Sequence, residues 1–138
     1  MKIIHSADIH LGSKIEAKLP KDKADIRKSE VRQAFNKMVS YAALHEIKII
    51  MISGDLFDSG VPLKKDKDYF YSVVRNNPDI DFIYLRGNHD IKEICLENIP
   101  GNLKTFSEEW TTYIYGNVSI SGIELTENNY KNAEYRLN

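Results

Sequence analysis

Five residues of this chain combine type and spacing in a way that suits chemistry: Asp8, His10, Asp55, Asn88 and His89. They fall in three short segments, Asp8-Ile9-His10, Gly54-Asp55-Leu56-Phe57-Asp58 and Gly87-Asn88-His89-Asp90. Each segment follows an apolar run, largely β-branched in Ile3-Ile4 and Ile49-Ile50-Met51-Ile52 and half aromatic in Phe82-Ile83-Tyr84-Leu85. Runs of that kind read as buried parallel strands. Open α/β sheets collect their chemistry at the carboxyl ends of strands, so the five residues are expected along one sheet edge. Carboxylate, imidazole and amide oxygen together suit hard to borderline divalent metals.

The spacing points to phosphoester chemistry. A phosphodiester repels nucleophiles by its charge, and two ions about 3.5–4 Å apart can offset that charge and activate a water. Asp55, behind the central strand, can offer one carboxylate oxygen to each ion. Asp8 and His10 are two residues apart, so on an extended stretch both point to one side and can hold the first ion. Asn88 can give a neutral oxygen to the second. His89 diverges from its neighbour and is better placed to face substrate, protonating a leaving oxygen or stabilising phosphoryl charge. Asp58 can orient His89. Gly54 and Gly87 are expected to allow sharp turns where their strands end.

The elements that must carry these residues read as alternating strands and helices. The first strand is expected over 2–7, a polar connection over 11–28, and a helix over 29–46 with Ser29 as N-cap. Val31, Phe35, Met38, Val39 and Ala42 share one face of that helix. A second strand is expected over 47–53 and a break at Gly60-Val61-Pro62. The second helix is expected over 64–76 with Tyr69, Phe70, Val73 and Val74 inward, and a third strand over 80–85. Gly101-Asn102 marks a turn, and 112–115 with 118–124 reads as a hairpin around Gly116-Asn117. Residues 1–125 are thus expected to form one domain or part of one, and 126–138 a polar, frayed tail.

Composition sets the bounds. A chain of 138 residues makes one domain or part of one, and 42% hydrophobic with 28% charged residues fits a globular protein. The net charge of −1 excludes nucleic-acid binding through a global positive field. One cysteine, Cys95, excludes an internal disulfide and fits a reducing compartment, hence a cytoplasmic expectation. The start carries no apolar signal region, and no apolar run nears membrane length, so no membrane association is expected.

The stretch His5-Ser6-Ala7-Asp8-Ile9-His10-Leu11-Gly12, with Gly54-Asp55-Leu56-Phe57-Asp58 and Gly87-Asn88-His89-Asp90, resembles the calcineurin-like metallophosphoesterase superfamily, and within it the SbcD-type nucleases. The resemblance implies an α/β fold, the N-terminal half of a four-layer α/β/β/α sandwich. It implies that Asp8, His10, Asp55 and Asn88 are metal ligands, that His89 is the catalytic histidine and that Asp58 is its partner. It favours two Mn ions, with Fe or Zn possible. It implies DNA as substrate, a coiled-coil ATPase of the SbcC type as partner, a possible homodimer, and a role as nuclease or exonuclease subunit in double-strand-break repair.

One departure matters. The superfamily site needs a later Gly-His and a Gly-His-x-His segment, and this chain has no histidine beyond His89. The second metal site is therefore expected to be incomplete, and the chain an inactive N-terminal fragment. Two other readings compete: a phosphoesterase for a nucleotide, small molecule or phosphoprotein, and a non-enzymatic truncated remnant. Other residues have plainer readings. His5 reads as a strand residue, His45 as a helix-end residue, Asp90 as a turn residue and Cys95 as apolar packing. The cluster Lys14, Lys18, Lys21, Lys23, Arg27 and Lys28, mixed with acids, reads as a solvated face, with a DNA-backbone contact as the alternative because it follows the Asp8/His10 corner.

Overall fold

The computed structural model describes residues 1–12, 20–57, 63–87, 98–126 and 129–130. Among them lie strands β1 (Ile4–Ser6), β2 (Ile49–Ser53), β3 (Asp81–Leu85), β4 (Leu103–Thr105), β5 (Thr111–Tyr115) and β6 (Val118–Gly122). Helix α1 is Lys21–Leu44 and α2 is Lys64–Arg75. The chain divides into two compact units, Met1–Lys104 and Thr105–Asn138.

The first unit is built on a sheet of order β1-β2-β3-β4. The pairs β1–β2 and β2–β3 are parallel, with Ile4 opposite Ile50 and Ile50 opposite Phe82. Alternation sorts the strand residues to two faces. Ile50, Ile52, Phe82 and Tyr84 join one core with Phe35, Val39 and Ala42 of α1 and Phe70, Tyr71 and Val74 of α2. Phe70 is its centre, edge-on to Phe57 at 6.2 Å and to Phe82 at 6.4 Å, and tilted against Phe35 at 5.9 Å. Such aromatic pairs contribute about 1 kcal/mol each beyond area burial.

Three expectations are corrected. Helix α1 starts at Lys21, not at 29, so Ser29 lies inside it and accepts a bond from Gln33 Nε2 at 3.1 Å instead of capping. The first turns are rich in Lys, Asp, Arg and Glu, which hold helical structure without an apolar stripe, aided by the Arg27–Glu30 pair at 3.0 Å. The "polar connection" therefore ends at Pro20, whose fixed φ suits a helix start. Strand β4 was not expected: its three residues are too short to show a period. The strands at 4–6, 49–53 and 81–85 match the expected ones within a few residues.

The end of α1 has a specific lock. Glu46 N–H donates to Ala43 O (3.3 Å) and Ile47 N–H to Ala42 O (2.9 Å), with Glu46 at φ 54°. That is a Schellman closure with a non-glycine residue in the left-handed position. It turns the chain so that Ile47 enters the core and β2 begins two residues later.

The second unit contains the expected hairpin. Tyr115 pairs with Val118 across Gly116-Asn117, and Gly116 alone of the two has positive φ (62°), the pattern of a II′ turn. Phe106 packs on Tyr113 at 5.6 Å. It fills the space where Gly122 would carry a Cβ, 2.6 Å from the ring. Asn129 fastens the following turn, donating to Glu108 O at 2.9 Å and Glu124 O at 2.8 Å. Among the described residues, no helix is long and apolar enough to cross a membrane.

Candidate metal centre

The parallel pairing of β1 and β2 continues past the strand ends, and this continuation assembles the site. Asp8 N–H donates to Gly54 O (3.3 Å), His10 N–H to Asp55 O (3.0 Å) and Leu11 N–H to Leu56 O (2.8 Å). Leu11 then bridges Phe57 in parallel. The two loops are thus laced together by backbone, and apolar anchors hold them down: Leu11, Leu56 and Phe57 are all buried. The polar residues between the anchors, Asp8, His10 and Asp55, are left at the surface or half-buried.

Their donor atoms converge. One carboxylate oxygen from each of Asp8 and Asp55 and one ring nitrogen of His10 lie within 4.8 Å of one another. An ion with bonds of about 2.1 Å spans donors up to about 4.2 Å apart, so a group held within 4.8 Å needs only a small side-chain adjustment to take one. Two carboxylates and one imidazole form a mixed oxygen–nitrogen set that fits Mn, Fe or Zn by its chemistry, without choosing among them.

The route to this convergence differs from the expected one. Asp8 and His10 do not sit on an extended stretch: both have φ 53°, and Asp55 has φ 47°. All three side chains leave left-handed backbone, a region that Asp and His enter more readily than most residues. Sparsely populated backbone of this kind concentrates at sites that must aim side chains.

The two glycines do different jobs. Gly54 turns with φ 81°, as expected. Gly87 has no positive φ, and its requirement is spatial: a Cβ there would meet an Asp55 carboxylate oxygen at 2.4 Å and the Asp55 nitrogen at 2.6 Å. The ends of β2 and β3 are drawn together at this point by Gly54 N–H donating to Leu85 O at 2.7 Å.

Asn88, His89, Asp58, Asp90 and Cys95 lie outside the described residues. His5, read as a strand residue, is exposed on β1, with its Nε2 at 2.8 Å from Ser53 Oγ. Beside Asp8, the β1 loop and α1 leave a cleft of about 280 Å³, lined largely by Ala7, Ile9, Val31, Phe35 and Met38. Two residues near the site, Arg32 and Asp66, do not stand out in the sequence. They form an ion pair of 2.6 Å with Asp66 buried. The signal that could have found them was a charged residue in core register on each helix, beside Phe35 and Phe70.

A parallel sheet under two helices, with acidic and imidazole donors at its strand ends, is the framework of a metal-dependent phosphoesterase. The chain belongs to the calcineurin-like phosphoesterase family, which matches residues 1–134, and its parallel sheet with helices corresponds to the N-terminal half of that family's sandwich. It is 35% identical over 98 residues to the SbcD subunit of the SbcCD nuclease of Staphylococcus saprophyticus, covering 67% of this chain and 24% of that protein. It is 28% identical over 92 residues to the SbcD subunit of the SbcCD nuclease of Escherichia coli K12, covering 65% and 21%. It is 27% identical over 130 residues to the DNA double-strand break repair protein Mre11 of Methanosarcina acetivorans, covering 90% and 20%. The chain spans a quarter or less of the length of these curated relatives.

Proposed function

We propose that this chain carries the first metal-holding half of a DNA repair nuclease of the SbcD and Mre11 type. The convergence of Asp8, His10 and Asp55 at laced strand ends carries the reading. The names of its relatives supply the substrate class.

In this reading Asp8, His10 and Asp55 hold one divalent ion, with Asp55 shared toward a second that Asn88 helps to hold. Bound divalent ions supply charge neutralisation and water activation for an in-line displacement at phosphorus. His89 stabilises or protonates the departing oxygen, and Asp58 orients it. Mn is the proposed metal, DNA the substrate and a coiled-coil ATPase of the SbcC type the partner, with action in the cytoplasm. Without later histidines the second site holds only Asp55 and Asn88, so the chain alone is expected to bind metal weakly and to cleave slowly or not at all.

The test begins with the coding DNA beyond Asn138. A frame that continues into Gly-His and Gly-His-x-His segments supports the reading, and the longer product is then assayed with Mn on linear duplex DNA and on a phosphomonoester. DNA cleavage that Asp55→Asn abolishes is the expected result. Monoester hydrolysis without DNA cleavage would replace the nuclease by a small-substrate phosphoesterase. An immediate stop codon would favour a non-enzymatic remnant.

A further inference from the structure

Asp66 is a carboxylate that the site chemistry does not use, yet it is 3% exposed. As the third residue of α2 it suits the helix dipole, but that role needs no burial. A buried carboxylate is costly unless paired, and Arg32 of α1 supplies the pairing at 2.6 Å. Arg32 is itself held from α2: its guanidinium lies over the Tyr69 ring at 4.8 Å. The Tyr69 hydroxyl donates toward Arg32 O and lies at the same 3.0 Å from Asn36 Oδ1. The second Asp66 oxygen faces the loop. It occupies the place where Gly12, at φ 76°, would carry a Cβ, 2.4 Å away. Gly12 follows Leu11 directly and His10 by two residues.

We propose that the Arg32–Asp66 pair is a positioning strut, set between the two helices and pressed against Gly12, that fixes the loop carrying Asp8 and His10. Among the described residues, neither belongs to the group of Asp8, His10 and Asp55. They act by defining where the loop stops: Asp66 fills the space under Gly12, and Arg32 holds Asp66 in place. Leu11 and Phe57 lie on the same packed layer, so the strut and the backbone lacing restrain the loop from two sides. The link to metal affinity rests on the proposed metal-centre reading; the link to loop order does not.

Amide hydrogen exchange of the metal-free chain tests the strut directly. His10 and Leu11 N–H groups report on the loop, and those of Ile50 and Ile52 on the sheet core. Asp66→Asn, which keeps shape and removes charge, and Gly12→Ala, which pushes from the loop side, should each speed exchange at His10 and Leu11 about tenfold with the core unchanged. Arg32→Lys should fall between these and wild type, because it keeps charge but loses the planar fork. Arg27→Ala, at an exposed pair, should change neither set. The proposal is overturned if loop and core amides accelerate together, or if the loop amides do not move. Mn2+ titration of the same proteins separates the two ideas. Affinity falling with loop order supports both, whereas local exchange effects in the variants together with a wild-type chain that binds no Mn2+ keep the strut and remove the metal reading.

Discussion

The carboxylate of Asp55 stands where a side chain on Gly87 would begin, 2.4 Å from the Cβ position. The missing methyl is therefore part of the site: it lets the end of β3 close onto the residue that the metal reading makes the shared ligand. Gly87→Ala should push the Asp55 side chain away and lower Mn2+ affinity at least about tenfold, while overpacking costs about 1–3 kcal/mol of stability. Titration calorimetry with parallel urea melts checks both. Unchanged affinity would mean that Asp55 is free to move without loss, contrary to its proposed role.

Asp55→Asn isolates charge from shape. Metal bound only to the folded state stabilises it, by about 2.7 kcal/mol at a hundredfold excess over Kd. Wild type should therefore show a thermal midpoint that climbs with Mn2+ and returns with chelator. Asp55→Asn should show almost no climb, because the remaining donors carry one carboxylate fewer. An equal climb in both proteins would move the metal away from Asp8, His10 and Asp55.

Residue type and order revealed more of this molecule than residue geometry did. The three apolar runs marked β1, β2 and β3, because a buried parallel strand has to be apolar on both faces. They also placed Asp8, His10 and Asp55 at one edge. The first turns of α1 were hidden, since Lys21 to Glu30 is mostly charged, and its apolar residues, Ala24 and Ile26, make no stripe. The left-handed backbone at Asp8 and His10 was hidden too, because neither is glycine. Gly87 was marked for a turn, but its role comes from Asp55, more than thirty residues earlier, and no local pattern reports such a meeting. Asp66 carries the same lesson: a charge among Phe70 and Val74 looks like a helix surface until Arg32 is found beside it.

Glu46 offers a clean gain in stability. It holds the left-handed position of the α1 closure at φ 54° with an exposed side chain. That backbone costs an L-residue about 1 kcal/mol that glycine avoids. Glu46→Gly should raise stability by about that amount, less the greater freedom glycine has when unfolded. Denaturant midpoints check it, and Mn2+ affinity should not change because the substitution lies at the opposite end of β2.

Tyr69 sets an alkaline limit. Burial raises its hydroxyl above the ordinary value of 10.0, and the positive Arg32 beside it offsets part of this rise. Below the ordinary value the hydroxyl keeps its proton in both folded and unfolded chains, and the full contribution is present. As pH climbs through the raised folded value, the unfolded chain has already released its proton, and stability is lost. Urea melts between about pH 9 and 11 should show this fall. Tyr69→Phe should flatten it, at a cost near neutrality of about 1 kcal/mol for the lost hydroxyl bonds. The slope left over should belong in part to Tyr113, which burial also raises.

Asn102 is the strongest structural prediction outside the site. Its Nδ2 lies 2.9 Å from Val74 O, 3.0 Å from Asn77 O and 2.9 Å from Ile80 O, and its own backbone carbonyl accepts from Phe82 N–H at 2.8 Å. One amide thus closes the end of α2, the turn after it and the start of β3. Two hydrogens serve three acceptors, so one bond is shared. Asn102→Ala should cost about 2 kcal/mol, because three carbonyls each lose a donor, although Val74 O and Asn77 O keep the backbone N–H groups of Asn77 and Ile80. Asn102→Asp should cost more at neutral pH, because a carboxylate brings no hydrogen and faces three carbonyl oxygens. Protonation restores one donor, so the gap between Asp and Ala variants should narrow as pH falls below about 4. Equal stability of the two variants at both pH values would show that the three carbonyls find water instead, and that Asn102 is a turn residue with no wider task.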